Sequence, residues 1–122
     1  MGTEYLRELT LRRKKAHAKF TKLNSKVYQK FIELEEAAFS EGELSKKTKE
    51  LIAIGISAGV GCEGCIQWHT EYALKHGATE HEIMEAIEVA IEIGGGKAVT
   101  TARLAIEVME KIKNGNYDPA EY

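Results

Sequence analysis

Residues 46–77, KKTKELIAIGISAGVGCEGCIQWHTEYALKHG, decide how this chain is read. After Glu50 the first half is almost entirely aliphatic and small, and Gly59 and Gly61 then interrupt it. The second half returns apolar residues at three- and four-residue spacing until Gly77. This is the pattern of two helices with a glycine break between them. The first, over about 46–58 with Ser45 as its N-cap, should lie in the core because it is mostly apolar. The second runs from about Cys62 to His76, where Gly77 supplies a left-handed cap.

Working outward, 4–20 and 24–40 read as two amphipathic helices, nearly continuous with one another. In the second of these, Val27, Phe31, Leu34, Ala38 and Phe39 follow one stripe. Thr79 and Glu82 form a capping box that opens a fifth helix with Ile83, Ile87, Ala90 and Ile91 on its inner side. After Gly94-Gly95-Gly96 a sixth helix carries Val99, Ala102, Leu104, Ile106, Val108, Met109 and Ile112, and Gly115 closes it. Proline occurs only at Pro119, and no Asn-Gly or Asp-Gly hairpin lies between alternating segments. The expected fold is all-α, with about six helices in a single domain over 1–122. It includes an N-terminal helical extension over about 1–22 and a tail over about 115–122. The run Gly94-Gly95-Gly96-Lys97 is not a phosphate loop, because Ala98 stands where a Ser or Thr would hold magnesium and no strand precedes it. A tight turn or a close helix approach explains it better.

Composition narrows the function. The chain has 122 residues, 43% hydrophobic and 30% charged, with a formal net charge of −2. That is an ordinary globular balance, with no nucleic-acid or membrane-surface partner implied. The basic cluster LRRKK at 11–15 reads as a solvated helix face. MGTEYLRELT has no apolar segment of the signal-peptide kind, and LIAIGISAGVG at 51–61 is too short to span a bilayer. A cytoplasmic location is expected. There a close cysteine pair is more often catalytic or metal-binding than a permanent staple.

The chain has two cysteines, and they stand three apart with a histidine four residues after the second. At about 100° per residue, Cys62, Cys65 and His69 fall near 0°, 300° and 340°, which is one narrow stripe. Cys65 and His69 are one turn apart, so the imidazole can take a thiol proton. Cys62 at the first turn meets unpaired backbone N–H groups and the helix dipole, which favour a thiolate. The same spacing permits a small-loop disulfide. Glu50 and His69 lie about two turns on either side of the break, so antiparallel packing brings them level, each about 10 Å from the turn. A buried carboxylate needs a partner, and His69 is the obvious one.

Plainer readings compete. The cysteines could be two small core residues, or Cys62, Cys65, His69 and Glu50 could hold zinc, although no second cysteine pair exists to complete such a site. His69 could be a core histidine and Glu50 a helix-start carboxylate stabilised by the dipole alone. His76 suits a helix C-terminus, His17 and His81 look like surface positions, and Trp68 is either a wall of the site or ordinary packing surface.

Glu50, then Cys62-x-x-Cys65, then His69 together resemble the E…CxxCxxxH signature of the alkylhydroperoxidase D-like (AhpD-like) branch of the carboxymuconolactone decarboxylase family. The IGGGKAV segment at 93–99 is similar too, and the resemblance spans roughly 24–112. It implies an all-α fold around a central helix hairpin carrying the CxxC motif, assembled as a homo-oligomer, a trimer or hexamer. It also implies peroxidase or disulfide-reductase chemistry without a cofactor or metal. Cys65 would attack the peroxide, Cys62 would resolve the sulfenic acid to a disulfide, and His69 with Glu50 would relay protons. The partners would be a hydroperoxide or disulfide substrate and a dithiol electron-donor protein. Gly64 stands where peroxidase members of the family carry a further histidine. Two other functions fit the same helices: a lactone decarboxylase or hydrolase that does not use the cysteines, and a non-enzymatic oligomeric or zinc-stabilised binding module.

Overall fold

The computed structural model describes residues 3–115. Six helices follow one another: α1 (Thr3–Lys22), α2 (Lys26–Ala38), α3 (Lys46–Val60), α4 (Glu63–Lys75), α5 (Glu80–Gly94) and α6 (Gly96–Lys113). Among the described residues there is no strand, in keeping with the helical spacing of the sequence. The expected tail falls mostly outside the described residues.

Helices α3 to α6 pack on one another and supply most of the core, including Ile54, Ala58, Ile66, Ile83, Ile87 and Val108. Ser45 caps α3 by accepting the Thr48 N–H, as its position before the helix predicts. Gly59 does not break α3, which continues to Val60. It is a contact residue instead: a Cβ on Gly94 would stand 3.6 Å from the Gly59 Cα and 3.3 Å from the Ala98 Cβ. Two glycines thus let α3 and α5 approach closely. The true stop is Gly61, in the left-handed region at φ 78°.

The capping box at Thr79 and Glu82 is formed in full. The Glu82 carboxylate accepts from the Thr79 N–H at 2.9 Å and meets the Lys47 ammonium at 3.1 Å, which ties α5 to α3. These bonds, the Thr79 N–H foremost, hold the Glu82 carboxyl below its ordinary value. On α6, Ala98, Ala102, Ala105 and Met109 share the buried face, while Val99 and Ile106 are exposed. Val99 and Ile106 are seven apart and sit together on the flank of the helix, outside its buried face.

Helix α1 is docked as well. Leu6 is fully buried, and the Gln67 side-chain amide donates to the Leu6 carbonyl and to the Thr10 hydroxyl, both at 3.0 Å. Asn24, at φ 57°, separates α1 from α2. His17, expected at the surface, is half-buried and shares a 2.6 Å hydrogen bond with the Tyr28 hydroxyl, while Phe20 stacks on the Tyr28 ring. These contacts hold α2 to α1.

The largest departure is α2 itself. The amphipathic stripe of α2 has Val27 81%, Phe31 56% and Leu34 64% exposed, and α2 has no buried residue. The periodicity is real, but nothing else in the described chain covers it. No described helix is long and apolar enough to cross a membrane.

Candidate functional site

The turn between α3 and α4 fixes the first sulfur. The N–H groups of Gly61 and Cys62 both donate to the Ser57 carbonyl at 3.0 Å. Cys62 is thereby held extended, at φ −97° and ψ 103°, one residue before α4. It is the N-cap rather than a member of the helical stripe expected from the sequence. Its sulfur does what a capping oxygen does elsewhere and accepts the Cys65 N–H at 3.2 Å. Cys62 and Cys65 form a disulfide, with their Cα atoms 5.3 Å apart. The pair therefore sits where unpaired N–H groups and the helix dipole stabilise negative charge on sulfur.

One turn further along α4 stands His69, and its Nδ1 meets the Glu50 Oε1 at 2.7 Å. An ionised carboxylate can only accept, so Nδ1 is the donor in this pair, and in the neutral ring Nε2 is then the nitrogen with the lone pair. Glu50 is 5% exposed. A buried carboxylate needs such a partner, and the ion-pair or hydrogen-bond geometry is the one that antiparallel packing of α3 on α4 predicts. The other sequence-level reading, a Glu50 stabilised by the dipole alone, does not hold.

Phe39 completes the surroundings of the imidazole. It follows the last residue of α2, and its ring stacks on His69 with centroids 5.0 Å apart and planes 18° apart. Phe39, Ala38, Lys49, Ile52, Ala53, Ile56, Ser57, Val60, Cys65 and His69 line an open cavity of about 430 Å³. Cys65 and His69 thus share one cavity, and Cys62 is not among its lining residues. The walls are mainly aliphatic. The Lys49 ammonium is engaged, donating to the Ala38 carbonyl at 3.0 Å and the Ser40 carbonyl at 2.6 Å.

Of the four residues the sequence singles out, Cys62 stands at the α3–α4 turn, Cys65 and His69 line the cavity beside it, and Glu50 reaches the site only through its bond to His69. The sequence reading missed Phe39 and Lys49, because their contribution depends on how the 39–45 turn folds back on α3. The only local signal for Phe39 is an aromatic residue at a helix end. Trp68 does not line the cavity: it lies against Tyr72, and the Arg13 guanidinium sits 4.8 Å from its ring centre. His76 and His81 are exposed. Glu63, between the cysteines, accepts from the Tyr5 hydroxyl of α1, and that bond raises the Tyr5 hydroxyl above its ordinary value. The zinc alternative would need both sulfurs as thiolates, so it applies only to the reduced protein. Among the described residues no three His, Cys, Asp or Glu side chains are grouped as metal ligands.

The family model of the carboxymuconolactone decarboxylase family matches residues 25–108. The chain is 40% identical over 82 residues to "uncharacterized protein 4 in cox locus" of Paracoccus denitrificans, covering 67% of this chain and 74% of that protein. It is 33% identical over 70 residues to the alkyl hydroperoxide reductase AhpD of an Anaeromyxobacter strain, spanning 50% of this chain and 38% of the larger protein. The fold superposes on the crystal structure of a carboxymuconolactone decarboxylase family protein from Legionella pneumophila. The TM-score there is 0.84 at 34% identity, over 89% of this chain and 97% of the other. A Thermotoga maritima structure gives 0.81 at 27% identity, over 88% and 95%. With the family model matching most of the chain and the same fold in solved relatives, this chain belongs to the carboxymuconolactone decarboxylase family.

Proposed function

We propose that the protein is a thiol-dependent oxidoreductase that cycles Cys62 and Cys65 between dithiol and disulfide to reduce hydroperoxides or partner disulfides. The observation that carries this reading is the shared cavity of Cys65 and His69, with Glu50 on the far edge of the imidazole. In the reduced protein His69 takes the Cys65 proton at Nε2, and Glu50 stabilises the resulting imidazolium. The Cys65 thiolate attacks the distal oxygen of the hydroperoxide. The O–O bond breaks, the alcohol leaves with the proton returned by His69, and Cys65 becomes a sulfenic acid. The Cys62 thiol then displaces water and forms the disulfide. A donor dithiol attacks Cys65 from the cavity, and Cys62 leaves as a thiolate stabilised at the α4 N-cap. Two electrons pass from donor to peroxide in each cycle.

The similarity to an alkyl hydroperoxide reductase supports this reading, as does the aliphatic cavity, which suits an apolar substrate. A cytoplasmic setting, where reducing dithiols are maintained, fits the same chemistry. The protein would work as a homo-oligomer, a trimer or hexamer. The exposed stripe of α2 and the apolar groove of about 610 Å³ between α3 and α5 are the surfaces available for that assembly.

Turnover of cumene hydroperoxide with a small dithiol as donor tests the proposal. Cys65→Ser should abolish it, and Cys62→Ser should leave one stoichiometric burst. A rate no higher than that of the free dithiol defeats the peroxidase part, and reduction of a disulfide substrate then decides whether exchange alone remains. Activity on a carboxylated lactone that survives replacement of both cysteines would assign the protein to decarboxylase or hydrolase chemistry instead.

A further inference from the structure

We propose that Phe39 is the positioning residue that aims His69 at Cys65, and that Lys49 holds Phe39 in place for this purpose. The proposal rests on the thiol-relay reading above and names what orients its base.

An imidazole bonded at one edge can still swing about that bond. In this structure the edge is fixed by Glu50 at 2.7 Å, and the face is covered by Phe39 with an 18° angle between the rings. With both restrained, Nε2 keeps a single direction. A phenyl face also attracts the ring once it has accepted a proton, because the aromatic quadrupole favours a cation above it.

Phe39 is not held by packing of α2, which has no buried residue. It is held by Lys49, whose ammonium donates to the carbonyls of Ala38 and Ser40, the peptide oxygens on either side of Phe39. The Phe39 N–H donates to the Glu35 carbonyl at 3.1 Å, which closes the helix end. Lys49 and Glu50 are neighbours in α3. Consecutive residues of one helix therefore secure the cover and the edge of the same imidazole.

The titratable groups around His69 are few. Glu50 of α3 lies on its Nδ1, while Lys49 of α3 and Cys65 of its own helix share the cavity with it. From the α2 end it meets the uncharged Phe39, and α1, α5 and α6 contribute no residue to the cavity.

The test is the pH profile of Cys65 alkylation by iodoacetamide in reduced protein, in a Cys62→Ser background so that one thiol reacts. The thiolate displaces iodide, so the rate reports the thiolate fraction. Phe39→Leu, which keeps an apolar residue but not the stack, should move the midpoint up by about half a pH unit. That corresponds to about three-fold slower alkylation below it. Phe39→Tyr should restore the profile, Lys49→Met should shift it in the same direction as Phe39→Leu, and Phe31→Leu on exposed α2 should leave it unchanged. If His69→Ala shifts the midpoint while Phe39→Leu and Lys49→Met do not, the positioning role is wrong and the relay stands. If His69→Ala itself changes nothing, the relay reading is what fails. Should Phe39→Leu not fold, Lys49→Met alone decides.

Discussion

Helix α2 carries Val27, Phe31 and Leu34 along one side and leaves all three in solvent, whereas the α3–α4 hairpin encloses a carboxylate and an imidazole. Each region inverts the usual arrangement of apolar inside and polar outside. In the hairpin the inversion is compensated locally, because Glu50 and His69 satisfy each other at 2.7 Å. In α2 no compensation exists within the described chain. The difference separates two kinds of exception: a buried polar pair that its own chain completes points to chemistry, and an uncovered apolar stripe points to another surface.

Among substitutions away from the cysteines, Glu50→Ala should have the largest effect. It removes the partner of His69 and should lower peroxide turnover by about 10²- to 10⁴-fold, the range for loss of a working acid–base relay. Stopped-flow kinetics on the reduced protein measures it, and near-normal turnover would erase the chemical half of the comparison. Phe31→Ser combined with Leu34→Ser should do the reverse. Turnover per chain should stay within about two-fold and folding stability within about ±0.5 kcal/mol per substitution, as at other exposed positions. The particle measured by sedimentation should become smaller. A particle of unchanged mass would show that the stripe serves no self-assembly.

Gly94→Val sharpens the comparison by attacking the frame both regions share. A branched side chain facing Gly59 and Ala98 should cost about 1–3 kcal/mol in denaturant unfolding, the range for overpacking a close contact. The control is Gly64→Ala, where a Cβ meets nothing within 4 Å. It should be neutral to stabilising, by up to about 1 kcal/mol, because it stiffens the unfolded chain.

The smallest effect is electrostatic. The Glu82 carboxyl is held below its ordinary value of 4.5, first by the Thr79 N–H and then by Lys47. A depressed carboxyl contributes stability above the unfolded value and loses that contribution as pH falls through the folded one. Thermal melts of wild type and Glu82→Gln should therefore differ at neutral pH and converge only in acid, as pH falls below 4.5 and through the lowered folded value. Parallel curves across that range would remove Glu82 from the acid response.

Much of the fold was legible in the sequence because caps and periodicity are local. Ser45, the Thr79–Glu82 box, Gly61 and Gly77 mark where helices begin and end by rules that act over four residues. The site was legible for a related reason. Cys65 and His69 are one helical turn apart, and Glu50 is set level with His69 by simple rise per residue. What escaped was everything that depends on distant packing. Gly59 looks like a breaker until Gly94 is seen beside it, and Leu6 gives no local sign that it enters the core. Phe39 belongs to the apolar stripe of α2 by spacing, yet its role comes from a turn whose path is set by Lys49. The spacing predicts Cys62 at the start of the helix, but the Ser57 carbonyl accepts its N–H and keeps it just outside as the N-cap. The hydrophobic pattern of α2 correctly marked an apolar face and said nothing about which molecule would cover it.

The hydrogen bond from the Cys65 amide to the Cys62 sulfur gives this protein an internal gauge of its own state. Because one peptide proton rests on an atom that changes between disulfide, thiol and thiolate, its nuclear resonance and its exchange with solvent deuterium must change with it. If the proposed dithiol–disulfide cycle operates, a single isotope-labelled amide would follow it directly, with no added dye and no substituted side chain.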